Sequence, residues 1–267
     1  STALPVGEVL QVRVKVKDEH AWSEWSESGW LEVYPFFLKN TDTIEKISIE
    51  AGKQILVKAS VSNSVYGDDN TKTDLLNGIV KVKISGYKTS PFGKSGQFGG
   101  QELLDSGSTI IDVPLYNGIA EIPLILTVAG SQTIYYEVID MKESLRELNV
   151  QVLPSEIQKL LFLQEPKVFK TKEQLFIPHP IILVTDMFGN PIYDASVEAF
   201  INSGEGELTG TVSLTSNKEG IIEFTNLKLL NSSFTDVSII FKTKVNQVIL
   251  ISPNIKLEGD EEQVNLE

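Results

Sequence analysis

The sequence predicts an all-β chain built of tandem antiparallel sandwiches, and three observations carry that reading. Its dominant hydrophobic period is two: Leu10, Val12, Val14 and Val16 alternate with Gln11, Arg13, Lys15 and Lys17. Turn-forming pairs separate such runs, among them Asn77-Gly78, Asn117-Gly118, Gly189-Asn190-Pro191 and Glu219-Gly220. Strands therefore recur at about 8–12-residue spacing, the mark of a sandwich or barrel.

The elements follow in order. After the first alternating run come Ile55 to Val61, Ile79 to Ile84, Ile119 to Leu126 and Thr133 to Ile139. Further strands are expected at Ile181 to Val184, Ile221 to Leu229, Val237 to Phe241 and Val248 to Ile251. Met141 to Leu148 and Ser155 to Leu163 carry spacing compatible with short helical turns. Pro35 and Pro154 each close a run that reads as a last strand, because proline cannot continue a ladder. They divide the chain into segments 1–35, 36–154 and 155–257, followed by an acidic tail over 258–267. The second and third segments each have the size of one Ig-like sandwich. The first is too short to be a domain.

Composition narrows the function. The 267 residues hold 23 Lys+Arg against 36 Asp+Glu, a formal charge of −13, which repels nucleic acid and anionic lipid. There is no cysteine and there are two histidines, His20 and His179, so thiol catalysis and cysteine-ligated zinc are excluded. No run approaches the ~18 consecutive apolar residues of a membrane-spanning helix, and no basic-then-apolar leader opens the chain.

The motifs resolve mostly into turns. Gly93-Lys94-Ser95 resembles the end of a phosphate loop, but the first glycine of that pattern would fall at Lys88 and no helix is expected after it. The same glycine-rich stretch is expected to be an inter-strand loop whose aromatics, Phe92 and Phe98, contact a ligand or a neighbouring module. Asp186, Asn190 and Asp194 surround one turn; they offer oxygen ligands to calcium, and they are equally the residues such turns use for their own backbone bonds. Asp68-Asp69-Asn70 is a second polar loop of that kind. No G-x-S-x-G and no paired carboxylates are visible, Asn231-Ser232-Ser233 is a formal sequon, and catalytic residues, metal and cofactor are all expected to be none.

Two resemblances sharpen this. Val184-Thr185-Asp186-Met187-Phe188-Gly189-Asn190-Pro191-Ile192, with Gly220 to Leu227 downstream, resembles the signature of bacterial Ig-like domains of the invasin/intimin type. Ala51-Gly52, Leu76 to Val80, Asn117-Gly118-Ile119-Ala120 and Ala129-Gly130 resemble it more loosely in the second segment. The first segment is similar to the last two strands of a fibronectin type III module, with Trp22-Ser23-Glu24-Trp25-Ser26 as the W-S-x-W-S pattern. Cytokine receptors share that pattern, but their disulfides have no counterpart here.

The resemblances imply a non-catalytic array, extracellular or on a bacterial cell surface, that spaces or presents something. Alternatives are carbohydrate-binding or accessory modules of a secreted polysaccharide-degrading enzyme, using Trp22, Trp25 and Trp30, and a filament, surface-layer or phage subunit. The tryptophans are expected to stack on Arg13, Lys15 and Lys17. Because a lone hairpin is marginal in water, residues 1–35 are expected to make a protein contact, either on the second segment or with strands of another chain.

Overall fold

The computed structural model describes residues 9–27, 29–32, 36–39, 46–63, 77–91, 93–139, 145–170, 175–230 and 236–258. Every regular element among them is a strand. The first unit is a two-stranded sheet of β1 (Val9–Val12) and β2 (Gly29–Glu32), paired antiparallel.

The second unit begins with β3 (Phe36–Lys39), β4 (Ile47–Glu50), β5 (Gln54–Asn63), β6 (Gly78–Ser85) and β7 (Gly96–Phe98). It continues with β8 (Gln101–Glu102), β9 (Ser108–Leu115), β10 (Ile119–Leu126), β11 (Gly130–Val138) and β12 (Arg146–Leu153). These form two sheets, β3-β5-β10-β7-β8 and β4-β12-β11-β6-β9. Alternation decides the faces: in β10, Ala120, Ile122, Leu124 and Leu126 point inward and are at most 1 % exposed. They meet Val82, Ile84, Ile134 and Val152 of the facing sheet in one core.

The third unit repeats the plan. Its strands are β13 (Lys159–Gln164), β14 (Val168–Lys170), β15 (Leu175–Ile177), β16 (Ile181–Thr185), β17 (Ser196–Ser203) and β18 (Glu207–Thr209). They continue as β19 (Ser213–Thr215), β20 (Ile221–Glu223), β21 (Lys228–Leu230), β22 (Ser238–Thr243), β23 (Ile249–Ile251) and β24 (Lys256–Glu258). The sheets β13-β16-β20 and β18-β21-β15-β14-β24 face β19-β17-β22-β23. Ile182, Val184, Val197, Phe224, Ile239 and Phe241 fill the space between, with Phe162 meeting the Phe241 ring edge-on at 5.7 Å. In both units an early strand pairs parallel with the last one, β4 with β12 and β14 with β24, while the other pairings are antiparallel. Both are Ig-like sandwiches.

Three local expectations change. Phe98, expected on an exposed loop, is fully buried. Gly99 and Gly100 both have positive φ, 57° and 82°. They make the tight turn between β7 and β8, so the stretch is a hairpin whose alternation drives Phe98 inward opposite Leu124. Ser155 to Leu163 is extended rather than helical: Leu160 points in, and Leu161 and Leu163 point out by the same alternation, with a bulge between Phe162 and Gln164. Arg146 to Leu148 likewise belongs to β12. Glu258, assigned to the tail, is the last residue of β24. Phe92, Asp68 to Asn70, Met141 to Ser144 and the sequon at Asn231 lie outside the described residues.

Phe98 is therefore a core residue, and Phe98→Ala should cost about 3–5 kcal/mol of stability. Urea unfolding would show this as a lower midpoint for the second module; a loss below about 1 kcal/mol would contradict its place in the core.

Candidate functional site at the module joint

The turn that follows β16 does not end in solvent. Asp186 and Asn190, which the sequence brings together in one loop, are 0 % and 6 % exposed. Asp186 Oδ1 accepts the backbone N–H of Phe188 and of Asn190, both at 2.9 Å, which fixes the turn. Its Oδ2 accepts Asn190 Nδ2 at 2.8 Å and Ser155 N–H at 3.0 Å. A carboxylate with its acceptor sites filled by N–H donors is a satisfied buried charge. The oxygens that suggested a calcium ligand are used in this way. Asp194, the third member, sits exposed at φ 58° on the other side of the turn, and no group of three metal-ligating side chains occurs among the described residues.

The turn then reaches across to the second module. Asn190 Nδ2 donates to Thr127 O at 2.7 Å, and Asn190 Oδ1 accepts Ala129 N–H at 2.8 Å. A side-chain amide thus pairs with two backbone groups of the β10–β11 loop, as a neighbouring strand would. That loop is itself held, by Thr127 Oγ1 donating to Lys94 O and Gln132 Nε2 donating to Val128 O, both at 2.6 Å. Beside it Phe188 packs against the second module's hydrophobic core. The space for its ring exists because residue 52 is glycine: a Cβ there would lie 2.6 Å from Phe188 Cζ, and φ is +82°. The linker from Pro154 to Gln158 is stitched to the third module by Ser155 to Asp186 and by Gln158 N–H to Thr185 O at 3.0 Å.

The tryptophan motif forms a second local structure. Ser23 N–H donates to Val16 O and Ser26 N–H to Val14 O, both at 2.8 Å. The two serine hydroxyls accept the N–H of Val16 at 2.9 Å and of Val14 at 3.0 Å. One side of this ladder advances by two residues and the other by three, and the serine oxygens stand in for the missing carbonyls. The same three-residue step places both indoles over one cation. Lys15 Nζ lies 4.7 Å from the Trp22 ring and 4.8 Å from Trp25, and Lys17 Nζ lies 5.6 Å from Trp22. Trp30 is on β2, and its side chain is outside the described set. The opposite face carries Val12, Val14 and Val16, which are 39 %, 59 % and 68 % exposed.

No family model matches this chain, and a search of the curated proteins found no match. Among solved structures the chain is similar to the D0-D1 domain of intimin, at 13 % identity and TM-score 0.27, covering 82 % of this chain and 95 % of that one. The FdeC adhesin of Escherichia coli aligns at 10 % identity and TM-score 0.39, covering 94 % and 74 %. The titin Ig tandem A164-A165 aligns at 10 % and 0.30, covering 85 % and 95 %. Bacterial adhesin modules and a titin tandem thus stand side by side, and the fold assignment rests on the strand order above.

Asn190→Ala should leave Thr127 O and Ala129 N–H without partners and cost about 2–4 kcal/mol. Calorimetry should then show the second and third modules melting separately; an unchanged transition would rule out the joint as a coupling element.

At the hairpin tip, Asp18 Oδ1 accepts the N–H of Ala21 and of His20, each at 2.8 Å. These backbone donors, Ala21 first, hold the carboxyl below its ordinary value. The turn's stabilisation is therefore present above the unfolded carboxyl pKa of ~3.9 and lost as pH falls through the lower folded value. The amide shifts of His20 and Ala21, followed by NMR, should titrate with a midpoint below ~3.9; a midpoint at or above it would contradict the bonding.

Proposed function

We propose that the chain is a non-catalytic piece of a surface or secreted multi-module protein, in which the second and third modules form one stiff spacer that presents surfaces to partners. The observation that carries this is the joint. Domains that merely follow one another are joined by exposed, flexible linkers with few crossing contacts. Here a buried amide, a buried carboxylate and a phenylalanine packed against the neighbour's core fix both the linker and the turn. The cell-surface part of the reading rests on the resemblance of Val184 to Ile192, and of Gly220 to Leu227, to invasin/intimin-type modules.

The first unit adds a protein contact to this reading. Its tryptophans take up Lys15 and Lys17 on one face. Its valine face is left for strands of another polypeptide, which would complete the fibronectin-type sandwich. A sugar-binding role for Trp22 and Trp25 is the weaker reading, because lysine already lies over the rings a sugar would need.

Absence of cysteine makes the stiffness directly measurable. Spin labels at Asp105→Cys and Lys244→Cys, both exposed positions in different modules, should give a single narrow distance by pulsed EPR. Phe188→Ala combined with Asn190→Ala should broaden it. A broad distribution in the parent chain would overturn the spacer.

A further inference from the structure

An antiparallel sheet with one face on the core normally turns polar residues to solvent. The second module does so in part: on the outward face of β5 and β10 Lys58 pairs with Glu121 at 3.0 Å beside the exposed Leu56 and Ile119, and on that of β6 and β11 Lys83 pairs with Glu137 at 3.0 Å. The sheet β13-β16-β20 of the third module carries no such ion pair on its outward face among the described residues. On the outward face of β13, β16 and β20, Leu161, Leu183 and Ile221 stand directly opposite one another across all three strands. Ile181 lies beside Leu183 one pleat along, and Leu163 shares the face of Leu161 by the same alternation. Leu161 is 46 % and Leu163 54 % exposed, and the other three are half-buried. Scattered exposed leucines need no explanation, whereas a contiguous plate does.

Charge says what fits the plate. Lys159 opens β13 at one corner and Glu223 closes β20 at the diagonally opposite one. Both are exposed, and neither is ion-paired among the described residues. A second identical plate laid face down, about a two-fold axis perpendicular to that diagonal, sets each lysine over a glutamate and leucine on leucine. Such a face is complementary to itself.

We propose that the third module pairs with a second copy of this chain through Leu161, Leu163, Ile181, Leu183 and Ile221, with Lys159 and Glu223 setting the orientation. Three strands at about 4.8 Å and five residues at about 3.4 Å span roughly 240 Å² of plate, against about 800 Å² per partner in a standard stable interface. A charge of −13 on each chain also opposes approach. The contact is therefore weak between free chains and gains strength where many copies are held side by side.

Sedimentation of the full chain from about 10 µM to about 1 mM, in ~0.15 M salt, tests this in the range of weak, small interfaces. The weight-average mass should rise above that of one chain. Leu161→Glu with Leu163→Glu should hold it at one chain, with unchanged circular dichroism and melting because both side chains are half in solvent already. Lys159→Glu should weaken association roughly 3- to 10-fold, and adding Glu223→Lys should restore it. Val14→Glu, on the hairpin, should leave it unchanged. A chain that stays single throughout overturns the proposal. So does an association that survives the leucine changes, or one that is lost with Val14→Glu.

Discussion

The carboxylate of Asp186 is the point on which the joint between the second and third modules depends. It lies out of contact with water, where an unpartnered carboxylate would cost several kcal/mol. Its bonds therefore must be made, and each one positions something else. Phe188 and Asn190 N–H give the turn its shape, Ser155 N–H pulls in the linker, and Asn190 Nδ2 is held so that the amide faces Thr127 and Ala129. Losing one bond would leave charge exposed to a low-dielectric interior, so the arrangement is held as a unit.

The first unit is held by weaker and more exposed contacts than the joint. Cation–π contacts at exposed positions contribute about 0.5–1 kcal/mol each. A few of these, with the serine bonds to Val14 and Val16, hold the hairpin's local geometry. They leave Val12, Val14 and Val16 exposed among the described residues. The hairpin's geometry is thus specified locally, whereas the joint adds to its own turn bonds a contact between two modules.

This difference also decides what was legible in the sequence. Period-two alternation marks Ala120 to Leu126 as a strand because burial on one face forces every second residue, and the two sandwiches follow from that pattern. Asp186, Asn190 and the Trp22 to Ser26 motif stand out because turns and ladders need those side chains. Thr127 does not, and Gly52 and Ala129, although they fall within the looser resemblance of the second segment, carry no mark of receiving the third module. They act through a missing Cβ and through backbone atoms that every residue possesses. Phe98 was misplaced for a related reason: glycine density around it suggested an open loop, although Gly99-Gly100 is a tight hairpin turn that returns Phe98 to the core. In Ser155 to Leu163, Ile157, Leu160 and Leu161 stand at i, i+3 and i+4 and so mimic a helical face, although the segment is extended.

A stiff joint and a weak lateral face make sense together. Fixing the third module on the second restricts which way the plate of Leu161, Leu183 and Ile221 can point. Neighbouring chains anchored in the same orientation would then offer it at the same height. Each contact between free copies is small in area and opposed by like charge. The entropy of bringing two plates together is, however, largely removed when both are already aligned by their own anchors. Flexible linkage would scatter the plates over many directions and forfeit that gain, so on this proposal the buried Asp186 carboxylate, through the joint it holds, would govern whether they can meet.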